Sequence, residues 1–104
     1  MVCLVLTHLP DEAAAYRLAR ILVSDRLAAC VQVGAPVRSV YQWQGQMEEA
    51  IEIPLIIKTL PGRIDEVKRT IVAHHPYDVP EILSVDAESS PAYLEWMQLE
   101  LDNA

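Results

Sequence analysis

The chain has 104 residues, 52% of them hydrophobic and 22% charged, with a formal net charge of -7. That length suits one domain, residues 1–104, whose single core needs no disulfide or metal staple. No apolar run approaches the roughly 18 residues of a membrane helix, and an acidic surface repels nucleic acid phosphates while attracting cations, so the expectation is a soluble protein that binds neither membrane nor nucleic acid.

The start of the chain, MVCLVLTHLPDE, lacks the basic region and small-residue cleavage site of a secretory signal. The two cysteines, Cys3 and Cys30, stand in no CxxC or zinc-finger spacing. A cytoplasmic protein with reduced thiols is the expectation.

Val2 to Leu6 is a continuous apolar run, which suits a central strand covered on both faces. Asp11 is a good helix N-cap, and Ala14, Leu18, Ile21 and Leu22 recur at helical spacing, predicting a helix over about 11–25. Ala28 to Val33 reads as a strand, with a kink at Gly34, Ala35 and Pro36. Two long alternating arms follow, folded about Gly45. Val37, Ser39, Tyr41 and Trp43 alternate with polar residues on the first; Met47, Ile51, Ile53, Leu55 and Ile57 do so on the second. Each arm is at the long end of the usual strand range of about 3 to 10 residues, so the distal part needs another chain to cover it. Pro54 has no N–H for a ladder and predicts a bulge where core strand becomes protruding arm.

Pro61 suits the first position of a helix in which Ile64, Val67 and Ile71 line one face, and Pro76 stops it just past His74 and His75. HHPYDVPEI then reads as a stiff loop entering a strand over Glu81 to Asp86. Ser90 as N-cap and Pro91 as first residue open a last helix carrying Leu94, Met97 and Leu101. The order strand, helix, strand, strand, helix, strand, helix predicts an α+β fold, a ferredoxin-like sandwich with a long β-hairpin and a C-terminal helix. Two helices on one sheet face leave the other face open, and that face and the overlong hairpin together predict a homotrimer.

LAACV at Leu27 to Val31, YQWQG at Tyr41 to Gly45, Glu52 with Lys58-Thr59, HPYDVPEI at His75 to Ile82 and YLEW at Tyr93 to Trp96 together resemble the CutA divalent-cation-tolerance family over nearly the whole chain. The resemblance implies a ferredoxin-like fold, a tight homotrimer joined through long hairpins, and a role in tolerance of copper and other divalent cations without an established enzymatic activity. Family members with a proposed copper ligand carry a cysteine late in the first strand; this chain has Thr7 there, and Cys3 lies earlier.

Two candidate sites follow. Cys30 with His74 and His75 offers thiolate and imidazole donors of the kind that take copper or zinc, although a buried cysteine and a histidine at a helix C-terminus also have structural reasons to exist. No cofactor is required. Tyr41, Trp43, Glu52, Lys58 and Glu81 come from different elements and would meet at a subunit cleft, giving a small-ligand pocket with aromatic walls and a few charges; the alternative is trimer packing for the aromatics and paired or solvated roles for Lys58 and the glutamates. No serine lies in a GxSxG context and no glycine-rich phosphate loop is present, so an enzyme is the least supported class. The leading function is a metal-responsive or metal-binding tolerance protein; the alternative is a trimeric signalling or scaffold module that binds a small ligand or partner protein in its intersubunit clefts.

Overall fold

A computed structural model describes residues 1–102, and the last two positions of the expected domain lie outside the described residues. The elements are β1 (Val2–Leu9), α1 (Glu12–Ser24), β2 (Cys30–Val33), β3 (Val37–Trp43), β4 (Gln46–Thr59), α2 (Ile64–His74), β5 (Leu83–Ala87) and α3 (Pro91–Asp102). Local chemistry sets most of their ends. Asp11 holds extended backbone and its carboxylate accepts from the Ala14 N–H at 2.8 Å, capping α1. At the other end Arg26 takes a left-handed φ of 55°, and the Leu27 N–H reaches back to the Leu22 carbonyl at 2.9 Å in a Schellman-type stop. Pro61–Arg63 makes a 3-10 turn that leads into α2. The Ser90 hydroxyl accepts from the Tyr93 N–H at 3.3 Å and caps α3.

The strands form an antiparallel sheet in the order β2-β4-β1-β5, with β3 continuing the line of β2 along β4. Cys3, Val5, Thr7 and Leu9 of β1 stand opposite Thr59, Ile57, Leu55 and Ile53 of β4, all buried. Val5, Leu9 and the three β4 aliphatics share one core with Leu18 and Leu22 of α1 and Val67 and Ile71 of α2. The opposite sheet face carries Leu4 and Leu6 beside Val85 and Leu83, and the last two remain 51% and 54% exposed. On that face α3 reaches the Lys58 end, where the Lys58 ammonium lies 6.0 Å from the Tyr93 ring centroid. One face is therefore covered by helices and much of the other is open.

The bulge expected at Pro54 is present, but its extra residue sits on the opposing strand. Val33 pairs with Leu55 and Val37 with Glu52, so Gly34, Ala35 and Pro36 stand against only Ile53 and Pro54. Meanwhile β1 pairs straight through, His8 opposite Pro54. The Pro54 carbonyl accepts from the Gly34 N–H at 2.8 Å, so the side of Pro54 that lacks a donor faces the interruption between β2 and β3 and the β1 ladder loses nothing.

Beyond the bulge, β3 and β4 run on as an arm. Gln44 and Gly45 make its two-residue turn with φ of 51° and 81°, the positive pair that a type I′ hairpin requires. That turn sets Trp43 opposite Gln46, and the apolar sets of the two strands consequently lie on opposite sides of the arm. Tyr41 and Trp43 share a side with Glu48 and Glu52, whereas Met47 and Ile51 share theirs with Val40 and Arg38. Both sides stay exposed, Tyr41 and Trp43 at 44% each on one and Val40 at 57%, Met47 at 72% and Ile51 at 53% on the other. The radius of gyration, 14.4 Å, exceeds the about 13 Å of a compact chain this long, and the long axis is 45 Å against 24 and 23 Å. The last strand begins at Leu83, later than Glu81, because continuing its register would put Glu81 beside His8, where side chains meet instead of backbones.

Two buried threonines on the helix-facing side give opposite predictions. The Thr59 hydroxyl donates to the Leu27 carbonyl at 2.6 Å, whereas the buried Thr7 hydroxyl has no hydrogen-bond partner among the described residues. Replacing each with valine makes the same change of shape. Thr59→Val is expected to destabilise by about 1 kcal/mol or more by orphaning a carbonyl, and Thr7→Val to stabilise by about 1 kcal/mol by removing an unsatisfied group. Thermal unfolding of both variants at one protein concentration checks the signs.

Candidate functional site

The open sheet face ends in a cleft of about 740 Å³ at the base of the arm. Glu52, His8 and the Pro76–Val79 loop form its inner part, and Tyr41 and Trp43 extend it along β3. Four of the five expected residues, Tyr41, Trp43, Glu52 and Glu81, line it together. Lys58 does not: it lies six residues along β4 from Glu52, about 20 Å at the rise of a strand, against Tyr93. The lining residues include no lysine or arginine. Within one chain, Lys58 is therefore no part of this cleft.

A chain of hydrogen bonds builds the inner wall. The His75 Nδ1 accepts from the Tyr77 N–H at 3.2 Å, which leaves the ring proton on Nε2, and Nε2 donates to the His8 carbonyl at 2.6 Å. His75 thus fastens the loop after α2 to the end of β1. Its ring also stacks obliquely on Tyr77, centroids 4.7 Å apart. The Tyr77 hydroxyl donates to Glu52 Oε2 at 2.9 Å, and His8 Nδ1 meets Glu81 Oε2 at 2.8 Å. His8 and Tyr77 were not foreseen as cleft residues; the alternation of β1, which puts His8 on the same side as Leu4 and Leu6, and the rigid HPYDVP segment were the signals available.

Burial, and then the Glu52 carboxylate beside it, push the Tyr77 phenol up to about 12 from its ordinary 10. The neutral phenol is thus favoured in the folded state. This contribution to stability is complete below pH 10 and is lost as pH rises to about 12. In urea titrations Tyr77→Phe should abolish that part of the alkaline loss and leave the rest.

The expected metal trio does not converge. Cys30 pairs with Lys58, four residues along β4 from Pro54, which faces His8. It therefore stands about 13 Å along the sheet from the backbone that His75 grips. His74 is exposed at the end of α2 while His75 is buried, and both nitrogens of His75 are already engaged. Among the described residues no three histidine, cysteine, aspartate or glutamate side chains are grouped to hold a metal ion. The position of the absent family cysteine, Thr7, faces the helix-covered core and not this cleft. Within one chain, then, these donors do not fit a closed copper or zinc centre.

Fold and cleft define a single-sheet α+β module with an acidic, aromatic pocket beside an uncovered apolar arm. Residues 3–100 match the family described as CutA1 divalent ion tolerance protein, and the chain belongs to that family. The divalent-cation tolerance protein CutA of Thermus thermophilus is 40% identical over 95 residues, 90% of this chain and 92% of that protein. The crystal structure of CutA from Xylella fastidiosa superposes with a TM-score of 0.94 at 38% identity, covering 97% of this chain and 98% of that one. A CutA homologue of Xenopus laevis is 38% identical over 89 residues, and there the chain spans only 59% of the longer protein.

Proposed function

We propose that the protein is a cytoplasmic, non-catalytic divalent-cation tolerance protein that works as a homotrimer of ferredoxin-like sandwiches and uses the cleft at the arm base as its ligand site. The observation that carries this reading is the arm itself. Exposed apolar residues on both of its sides and an open sheet face beside it are what an assembly through neighbouring sheets would cover. The connectivity, with strand order β2-β4-β1-β5 and α1 and α2 on one face, supports the sandwich. The family supports the tolerance role.

Cation contact in this reading is loose. The net charge of -7 concentrates copper, zinc and other divalent ions near the surface, and Cys30, His74 and the cleft carboxylates offer them single donors instead of a closed coordination sphere. The alternative, a trimeric signalling module for a small ligand or partner, has its own support in a cleft that falls within the usual ligand-pocket range of about 300 to 1,000 Å³. Sedimentation equilibrium combined with calorimetric titration of zinc and copper tests the reading. A species near three times the 11.7 kDa chain, with weak metal binding insensitive to Cys30→Ser, is expected. A stable monomer, or submicromolar metal affinity lost in Cys30→Ser, would overturn it.

A further inference from the structure

We propose that α3 is a latched strap. Its last turn is closed by Arg26 and Arg63, which belong to other elements, and it opens and shuts as a unit of its own at the end of the sheet remote from the arm.

The helix is poorly made at its C-terminus. The last four carbonyls of an α-helix have no partner within it, and negative charge beside them opposes the helix dipole. α3 ends in Glu100, Leu101 and Asp102, with two acids and no basic residue in its last turn. Left to itself this turn would fray.

Two guanidinium groups supply what the helix lacks. Arg26 Nη1 donates to the Glu100 carbonyl at 2.7 Å, and Arg63 Nη2 donates to the Leu101 carbonyl. Consecutive carbonyls are thus capped by cations from the loop after α1 and from the 3-10 turn before α2. Arg26 Nη1 also lies 3.6 Å from the Glu100 carboxylate, but these side chains are 42% and 49% exposed, and such a pair adds little.

The backbone of Arg26 is a second, independent sign. It makes its contact from a left-handed φ of 55°, a conformation that glycine takes freely at a helix stop and that is unfavourable for arginine. Stopping α1 would ask only for glycine. A long cation at this position serves α3.

The rest of the hold on α3 is slight enough for the latch to matter. Met97 and Leu101 are buried, yet neither belongs to the core that the sheet shares with α1 and α2. Arg26 leads into β2 at the Cys30–Lys58 pair and Arg63 follows Thr59, whereas the arm leaves the other end of β4. The latch is made within one chain and does not depend on what covers the arm. Opening takes Tyr93 away from Lys58, whose ammonium lies 6.0 Å from the ring centroid when α3 is shut.

Hydrogen exchange read by mass spectrometry, on the full chain as it assembles in solution, tests the latch. Arg26→Gly keeps the left-handed stop and removes the cation, Arg63→Ala removes the other cation, and Glu100→Gln removes the carboxylate but keeps the carbonyl. Amides of α3 are expected to exchange roughly tenfold faster in each arginine variant and faster still in the double variant, with α1 and β4 unchanged. Glu100→Gln should change them by less than about twofold. Raising salt from about 0.05 to about 1 M should speed α3 exchange in the wild type and not in the double variant, because a screened cation no longer complements the dipole. Unchanged α3 exchange in the double variant would overturn the latch. So would an equal acceleration in α1 and β4, which would make the arginines ordinary contributors to global stability. An effect of Glu100→Gln as large as that of Arg26→Gly would place the interaction in the ion pair and overturn the carbonyl capping.

Discussion

Val40→Asp combined with Ile51→Asp is expected to yield a folded monomer sedimenting near 11.7 kDa in place of an assembly three times larger. Both side chains lie on one side of the arm and are more than half exposed in the single chain, so the charges cost the isolated fold almost nothing. In the proposed trimer that side is covered, and each carboxylate would be buried without a partner. At a cost of at least about 2 kcal/mol apiece, the pair weakens association by roughly a thousandfold or more. Heat stability should fall with assembly, because folding and association are linked through the buried arm. A melting temperature above about 65 °C in the parent, dropping into the ordinary mesophile range in the double variant, is the companion result. An assembly that survives both charges would show that the trimer is not built on this side of the arm.

The second large effect is expected at Gly34. A Cβ built there comes within 2.8 Å of the Pro54 Cγ, and the partner belongs to a ring tied to the backbone, whose only local give is a change of pucker. Gly34 has no left-handed φ, so its requirement is for space and not for backbone freedom. Gly34→Ala is expected to destabilise by about 1 to 3 kcal/mol, the usual cost of overpacking. Pro54→Ala opens the same space, and residues in contact couple by about 0.5 to 3 kcal/mol. The variant carrying both changes should therefore be more stable than the two single losses add up to. Urea unfolding of the four proteins at one concentration measures the coupling. Additive losses would mean that the glycine is needed for some other reason than the proline ring.

Much of the fold was legible in the chain because its signals are local. Asp11, Pro61 and Ser90 act on hydrogen bonds within a few residues of themselves, and the two-residue and helical periods of the apolar side chains declare which elements form. The open sheet face followed from counting helices. Four of the five residues expected to meet, Tyr41, Trp43, Glu52 and Glu81, line one cleft of the single chain. The misplacements concern registers and distances. Lys58 shares a strand and a side with Glu52, but strand rise carries it to the far end of the sheet. His75 and Cys30 have suitable donor atoms, yet His75 spends both nitrogens on the His8 carbonyl and the Tyr77 N–H.

What the amino-acid sequence determined by itself was therefore the set of elements, their order and the acidic, cation-attracting character of the surface. Tertiary structure alone decided which side of the arm each apolar set occupies, which strand carries the extra residue opposite Pro54, and which side chains share the cleft. The physical reason is that period and capping are properties of a few adjacent residues, whereas convergence depends on register. Register here is set by the turn at Gln44–Gly45 and the bulge at Gly34–Pro36, and a shift of one residue at either would send every side chain beyond it to the other face.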